Sequence, residues 1–330
     1  MKIKNILTIS ILVLYSKVGW TQGTLPLYSD YLSDNIFLVH PSVAGLSYEF
    51  AKLRMTHRQQ WTSQEDAPSL QTLSYHQRLG LNAGLGGMLF NDKNGYHAQK
   101  GIQLTYAYHV NFGRDDARNQ LSFGLAGTFV QNSVDQRSFS RPDPVISRVV
   151  ESDYYVNADF SMAYFNLDGY AFFTVKNLLL NTKSASEKRL ETVNLRRYLI
   201  NVGYFFGWEK RFQFEPSVML QYVEQTQEKI LDLNAKIYGL IGTDKRAYVA
   251  LSYRRSLDDN PIEELSQITP ILGFEMGRYS FTYTYSQQLG DLSFDYGGFH
   301  QLTLGINLFG KPRMRGYFPQ YNPFLFRNDN

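Results

Sequence analysis

Between Tyr279 and Ser286 the chain alternates ring and hydroxyl, Tyr279, Phe281, Tyr283 and Tyr285 interleaving with Ser280, Thr282, Thr284 and Ser286. Side chains of a β-strand point to opposite faces with period two, so this stretch reads as a strand with one aromatic and one small polar face. The pattern recurs. Ile102, Leu104, Tyr106, Tyr108, Val110 and Phe112 alternate with Gln103, Thr105, Ala107, His109 and Asn111. Leu121, Phe123 and Leu125 alternate with Ser122, Gly124 and Ala126, and Leu302, Leu304, Ile306 and Leu308 with Thr303, Gly305 and Asn307. An aromatic face backed by small polar groups suits a wall between lipid and a hydrated interior, and its repetition points to a transmembrane β-barrel.

Fourteen strands are expected, over 51–60, 69–79, 83–91, 101–112, 120–131, 154–165, 169–178, 197–206, 211–222, 229–240, 245–254, 267–276, 279–288 and 299–309. Each has about the 9–11 residues of a tilted crossing. The even number suits a single-chain antiparallel barrel, with a lumen that water, loops or an N-terminal segment must fill. The connections alternate too. Those at 80–82, 113–119, 166–168, 207–210, 241–244 and 277–278 are short, and those at 132–153, 179–196, 255–266 and 289–298 are long. Short periplasmic turns and long extracellular loops follow the barrel rule. The inward set is read as mainly Ser, Thr, Asn, Gln and Gly with a few charges.

Composition narrows the class. Aromatic residues are 15% of the chain, with 24 Tyr and 23 Phe, an excess suited to interfacial girdles. Past the N-terminus no run of about 18 apolar residues appears, so no spanning helix is expected. A net charge of +3 gives no footprint for nucleic acid. With no Cys, disulfides, thiolate metal sites and lipidation at an N-terminal Cys are excluded.

Lys2 and Lys4 followed by an apolar core from Ile6 to Tyr15 read as a secretory signal over 1–21, with cleavage near 19–22. Export plus alternating strands means the outer membrane. Residues 22–50, with Pro26, Pro41, Tyr28, Tyr31 and Phe37, are not patterned as a strand through 46; they are read as a plug or as packing along the periplasmic rim. The barrel occupies 51–309. A basic, aromatic tail over 310–330, carrying Arg313, Arg315 and Tyr317, is expected in the periplasm, docking partners or sealing the lumen.

Chemistry leaves little trace. There is no phosphate-binding loop, zinc-helix motif or nucleophile elbow, and no pair among the six His has metal-ligand spacing, so neither catalytic residues, metal nor cofactor are expected. His109 on the lumen face allows two readings, a hydrogen-bonded wall residue or half of a Ser/His site. Three clusters are candidates for partner binding or loop ordering. His57, Arg58 and Trp61 lie at the outer end of the first strand; Asn91 and Asp92 open a polar turn, 91–95; Arg141, Pro142 and Asp143 stand in the longest outer loop.

These clusters also carry a family resemblance. Leu27-Tyr28-Ser29-Asp30-Tyr31, His40-Pro41-Ser42-Val43-Ala44-Gly45, His57-Arg58-Gln59-Gln60-Trp61, Ala67-Pro68 and Ser74-Tyr75-His76 come first. Gly84-Leu85-Gly86-Gly87, Phe90-Asn91-Asp92-Lys93-Asn94-Gly95, Tyr106-Ala107-Tyr108-His109, Leu121-Ser122-Phe123-Gly124, Lys176-Asn177-Leu178-Leu179 and Glu215-Pro216-Ser217 follow in order. With these the chain resembles the PorP/SprF outer-membrane proteins of type IX secretion and gliding motility in Bacteroidetes. It departs where members commonly read Asn-Pro-Ala-Tyr-Ala-Gly, and where Thr24-Leu25-Pro26-Leu27 replaces a Gln-rich opening.

The resemblance implies a non-enzymatic barrel serving secretion or anchoring a surface adhesin, with outer-membrane lipid, periplasmic ring proteins or that adhesin as partners. The alternative is a channel for small hydrophobic molecules like the fatty-acid transporters, which needs an apolar pocket inside the wall. A lipid hydrolase using His109 is a third reading.

Overall fold

The structure, a computed structural model, describes residues 35–46, 51–60, 67–80, 82–112, 119–135, 150–166, 168–179, 196–207, 210–241, 245–258, 266–289 and 298–309. They contain fourteen strands: β1 (Ala51–Gln60), β2 (Ser69–Leu79), β3 (Ala83–Asn94), β4 (His97–Phe112), β5 (Asn119–Asp135), β6 (Val150–Asn166), β7 (Gly169–Lys176), β8 (Arg197–Tyr204), β9 (Phe212–Val223), β10 (Lys229–Leu240), β11 (Lys245–Ser256), β12 (Ser266–Met276), β13 (Tyr279–Leu289) and β14 (Phe299–Leu308). Each pairs antiparallel with the next, and β14 returns to β1 from Ala51↔Leu308 to Gln60↔Phe299, so the sheet is a closed barrel. Closure leaves no edge, which is what lets a sheet stand in hydrocarbon with its backbone polar groups paired.

The alternation sorts the wall. Leu104, Leu125, Val156, Ile200, Leu272, Tyr279 and Phe281 are exposed on the outer face, whereas Thr56, Ser74, Thr105, Ser122, Ser161, Thr282 and Thr303 are buried on the inner one. Leu125 lies in the apolar band opposite Tyr106 and Phe160 of its two neighbours. Leu125→Arg is expected to cost about 2–4 kcal/mol in a denaturant titration of vesicle-folded protein, the range for a cation on the lipid face near the midplane.

Differences from the pattern reading have local causes. The 91–95 stretch is not a turn. Asn91, Asp92, Lys93 and Asn94 continue β3, paired with Lys100, Gln99, Ala98 and His97, and only Gly95 and Tyr96 turn, Gly95 at φ +57°. One residue in the left-handed region suffices for this tight hairpin, and the polar Asp92 points inward, where polarity does not signal a loop. Hence the β3–β4 connection is short although it stands on the long-loop rim. β7 stops at Lys176 rather than 178 because Asn177 takes φ +59°. The β8–β9 ladder runs to Gly203↔Ser217 and touches again only at Phe206↔Phe214, because Pro216 between them has no N–H to give.

The lumen also holds more charge than the few groups expected. Lys52, Arg54, Arg58, Asp92, Asp159, Lys176, Glu215, Asp232, Lys236, Arg246 and Glu275 are all buried on the inner face. Acids and bases neutralise one another there. Arg246 makes a bidentate contact with Glu275 (2.8 and 2.9 Å), and Arg254 with Asp232 (2.7 and 2.8 Å). An isolated charge in such a place is costly, while a paired one is tolerated.

Candidate functional site

Residues 35–46 lie inside the barrel. Two 3-10 turns, Ile36–Leu38 and Pro41–Val43, compact the segment; Pro41 starts the second, and Gly45 at φ +71° follows it. Every wall residue it bonds belongs to the inward set. Asn35 donates to Ser74 Oγ (2.9 Å), His40 Nδ1 meets Thr174 Oγ1 (2.7 Å), Ser42 Oγ meets Ser161 Oγ (2.8 Å) and the Gly45 amide donates to His76 Nδ1 (3.1 Å). His109 Nε2 lies 3.0 Å from the Ala44 carbonyl. A carbonyl only accepts, so Nε2 bears the proton and Nδ1 accepts from Ser122 Oγ (2.8 Å). Lys176 Nζ donates to the Leu38 carbonyl (3.2 Å) and to Asp159 (3.1 Å).

Apolar contacts carry the segment across the lumen. Val43, Ala44 and Leu46 cluster with Phe165, Tyr170 and Phe172, whereas Val39 joins Leu199, Met219, Tyr248 and Ile271 on β8, β9, β11 and β12. Its backbone is seated against glycines. A Cβ on Gly84 would stand 2.0 Å from the Ala44 oxygen, one on Gly124 2.3 Å from the Ser42 nitrogen, and one on Gly86 2.6 Å from the Phe37 ring. An isolated glycine inside a strand marks such a close approach, and this signal was available in the sequence.

His40 is fully enclosed, its ring stacked on Phe172 at 4.6 Å. Burial, and secondarily the Lys176 charge, pushes its pKa down from 6.5 to about 3. The native state therefore holds His40 neutral, and its stabilisation is full above pH 6.5 and lost as pH falls from 6.5 toward 3. Seating of the segment is expected to weaken about 30-fold between pH 8 and pH 5 through this one group. Thiol labelling of a Ser42→Cys variant across that range measures it, and adding His40→Gln should remove that component.

A second inner cluster lies near the short-turn rim. Tyr170 OH (2.8 Å) and Tyr238 OH both donate to Glu215, while Lys236 sits over the rings of Tyr238 (4.7 Å) and Tyr248 (3.9 Å). Arg246 lies 4.8 Å from the Tyr238 ring.

The candidates from the sequence do not converge on one site. His57 is half-buried on the outer side of β1, opposite Leu302 and Gln71. Arg58 is buried inside, its guanidinium 4.3 Å from the Phe299 ring. Asn91 faces outward and Asp92 inward. Trp61, Arg141, Pro142, Asp143, Arg313, Arg315 and Tyr317 lie outside the described residues. His109 and Ser122 do meet, but both are fully buried and both imidazole nitrogens are engaged. Among the described residues no group of His, Asp and Glu is arranged to hold a metal.

Comparison with known proteins decides the family. The model for the type IX secretion system membrane protein PorP/SprF matches residues 21–306. The chain belongs to the PorP/SprF family. No curated protein matches it. Among solved structures, the CymD monoaromatic hydrocarbon channel aligns at 10% identity over 86% of this chain and 96% of its own, with a TM-score of 0.51. The Pseudomonas putida toluene transporter TodX aligns at 10% identity over 83% and 92%, TM-score 0.45, and a Pseudomonas aeruginosa FadL homologue at 9% over 78% and 90%, TM-score 0.46. The likeness to CymD is one of fold. As a PorP/SprF barrel the protein is a type IX secretion component of the outer membrane.

Proposed function

We propose that this PorP/SprF protein is a non-enzymatic barrel that serves type IX secretion by binding protein partners at its two rims, either within the machinery or as the surface anchor of a secreted adhesin. The observation that carries this reading is the seating of residues 35–46 across the lumen, bonded to β2, β4, β6 and β7 and packed on β8, β9, β11 and β12. A barrel filled in this way acts as a plugged platform, not a conduit. β5 and β6 stay paired out to Asp135↔Val150, so the loop expected over 132–153 narrows to 136–149. That stretch and the one around 179–196 are the surface for cargo, and the 310–330 tail with the short turns is the surface for periplasmic partners. His109 then serves to hold the plug by its Ala44 carbonyl.

The second reading, passage of small hydrophobic molecules, draws on one feature. Where Pro216 interrupts the β8–β9 ladder, an apolar groove of about 470 Å³ opens on the wall, lined by Val202, Tyr204, Pro216, Val218 and Leu233. It does not continue inward as an apolar pocket. Tyr170, bonded to Glu215, fills the space beside Gly203, where a Cβ would lie 2.2 Å from its ring.

Purification from outer membranes in mild detergent, with mass spectrometry of what stays bound, separates these readings. Periplasmic ring proteins support the machinery role, and one large adhesin supports the anchor. A barrel recovered alone, together with labelled fatty-acid uptake by reconstituted liposomes, overturns partner binding in favour of transport.

A further inference from the structure

Asp159 stands between the inserted segment and the extracellular rim. On one side its Oδ2 accepts from Lys176 Nζ, which also donates to the Leu38 carbonyl of the segment, and from Gln103 Nε2 (3.1 Å). On the other its Oδ1 accepts from the amide of Asn177 (2.9 Å), the residue whose φ of +59° ends β7. The strand end is fastened twice more: Leu178 N–H donates to the Ala158 carbonyl (2.8 Å) and Leu179 N–H to Asn157 Oδ1 (3.1 Å). The Leu178 carbonyl accepts from Arg196 Nη2 (2.9 Å), and Arg196 Nη1 pairs with Glu224 (3.3 Å), whose side chain is 45% exposed at the β9–β10 turn. Tyr198 OH also donates to Glu224 (2.9 Å).

We infer that this run of contacts is a latch: the extracellular rim at Arg196 and Glu224 holds the lumen segment in place through Asp159 and Lys176. The inference rests on the reading of residues 35–46 as a displaceable plug. Two physical features make the connection more than adjacency. First, Lys176 and Asp159 are both about nine-tenths buried, with side chains 10% and 8% exposed, so their contact is shielded from solvent. Second, Lys176 and Asn177 are consecutive. Lifting Asn177 off Asp159 necessarily shifts Lys176, and with it the one side-chain bond from β7 to the Leu38 carbonyl. A partner that takes Arg196 away from Leu178 and Glu224 thus loosens the strand end and, one residue further, the segment. Such coupling needs a test that removes each end separately.

The chain has no cysteine, so Ser42→Cys gives a single thiol, buried while the segment is seated. In proteoliposomes, labelling of that thiol by a charged maleimide is expected to be slow in the parent. Lys176→Met should speed it about tenfold or more, since it removes the tie to Leu38 and leaves Asp159 with Gln103 and Asn177. Arg196→Ala should speed it about threefold, through weaker surface contacts, and should add nothing in the Lys176→Met background. If Arg196→Ala changes nothing, or speeds labelling equally in both backgrounds, the rim does not act through the latch and the inference is overturned. Heat-modified gel mobility reports barrel folding for each variant, and Asp159→Asn replaces Lys176→Met in the cycle if the latter does not fold. The readout needs no partner protein, so its failure leaves the binding role to be judged by the purification alone.

Discussion

Gly124→Leu is expected to turn a closed barrel into a conducting one. The ideal Cβ at this position falls 2.3 Å from the Ser42 nitrogen, 2.5 Å from the Pro41 carbonyl carbon and 2.6 Å from the Ser42 Cα. All three are backbone atoms, so no rotamer change relieves the clash. The wall at this point is fixed by ladders to β4 and β6, with Gly124 opposite Ala107 and Ser161. The segment is short and its bonds at Asn35, Leu38, His40, Ser42, Ala44 and Gly45 reach side chains of the wall, with no ladder to its backbone among the described residues, so it is the part that gives. Overpacking of this kind costs about 1–3 kcal/mol in a core that can adjust, and more where backbone meets backbone. Leaving also breaks the Ser42–Ser161 and His109–Ala44 contacts in the same neighbourhood. In planar bilayers the parent is expected to stay silent, Gly124→Leu to show steps, and Gly127→Ala, with open space around its Cβ, to behave as the parent. If Gly124→Leu stays silent and its Ser42→Cys derivative stays protected, the segment is not what closes the barrel.

The wall was legible in the sequence because lipid on one side and a polar interior on the other impose period two over long stretches. β1, β2 and β10 begin and end where the alternation does. Misreadings cluster where a residue serves the inside of the barrel but looks like something else. Asp92 looks like a turn residue and is an inward strand residue; Asn177 looks like a continuation of β7 and ends it. The lumen was harder to read. A segment with no periodicity, such as His40-Pro41-Ser42-Val43-Ala44-Gly45, states nothing about where it sits. Its seat is spread over Ser74, His76, Gly84, Gly124, Ser161 and Thr174, on five strands. Only the strand glycines mark it locally. The ion pairs were invisible for the same reason, since Arg246 and Glu275 come together through the β11–β12 register and not through any spacing along the chain.

That register makes the pair Arg246 and Glu275 the second place where one atom group decides much. They are directly opposite on the inner face, joined by two charge-assisted hydrogen bonds, with side chains 7% and 9% exposed. Arg246 also faces the Tyr238 ring, and Tyr238 in turn donates to Glu215, so the pair is continuous with the neighbouring cluster. Replacing Arg246 by Met keeps most of the volume but takes the guanidinium and both of its hydrogen bonds from the buried Glu275 carboxylate. Breaking one side of a buried pair costs about 3–5 kcal/mol, whereas replacing both sides by apolar groups is often near neutral. Arg246→Met is therefore expected to lower unfolding stability by about 3–5 kcal/mol, read from a denaturant titration in vesicles. Arg246→Met combined with Glu275→Leu should recover most of the loss. The sign of that recovery is the informative part. If the double variant is no more stable than the single one, Arg246 stabilises the barrel through the Tyr238–Glu215 cluster, and the ladder between β11 and β12 does not depend on charge.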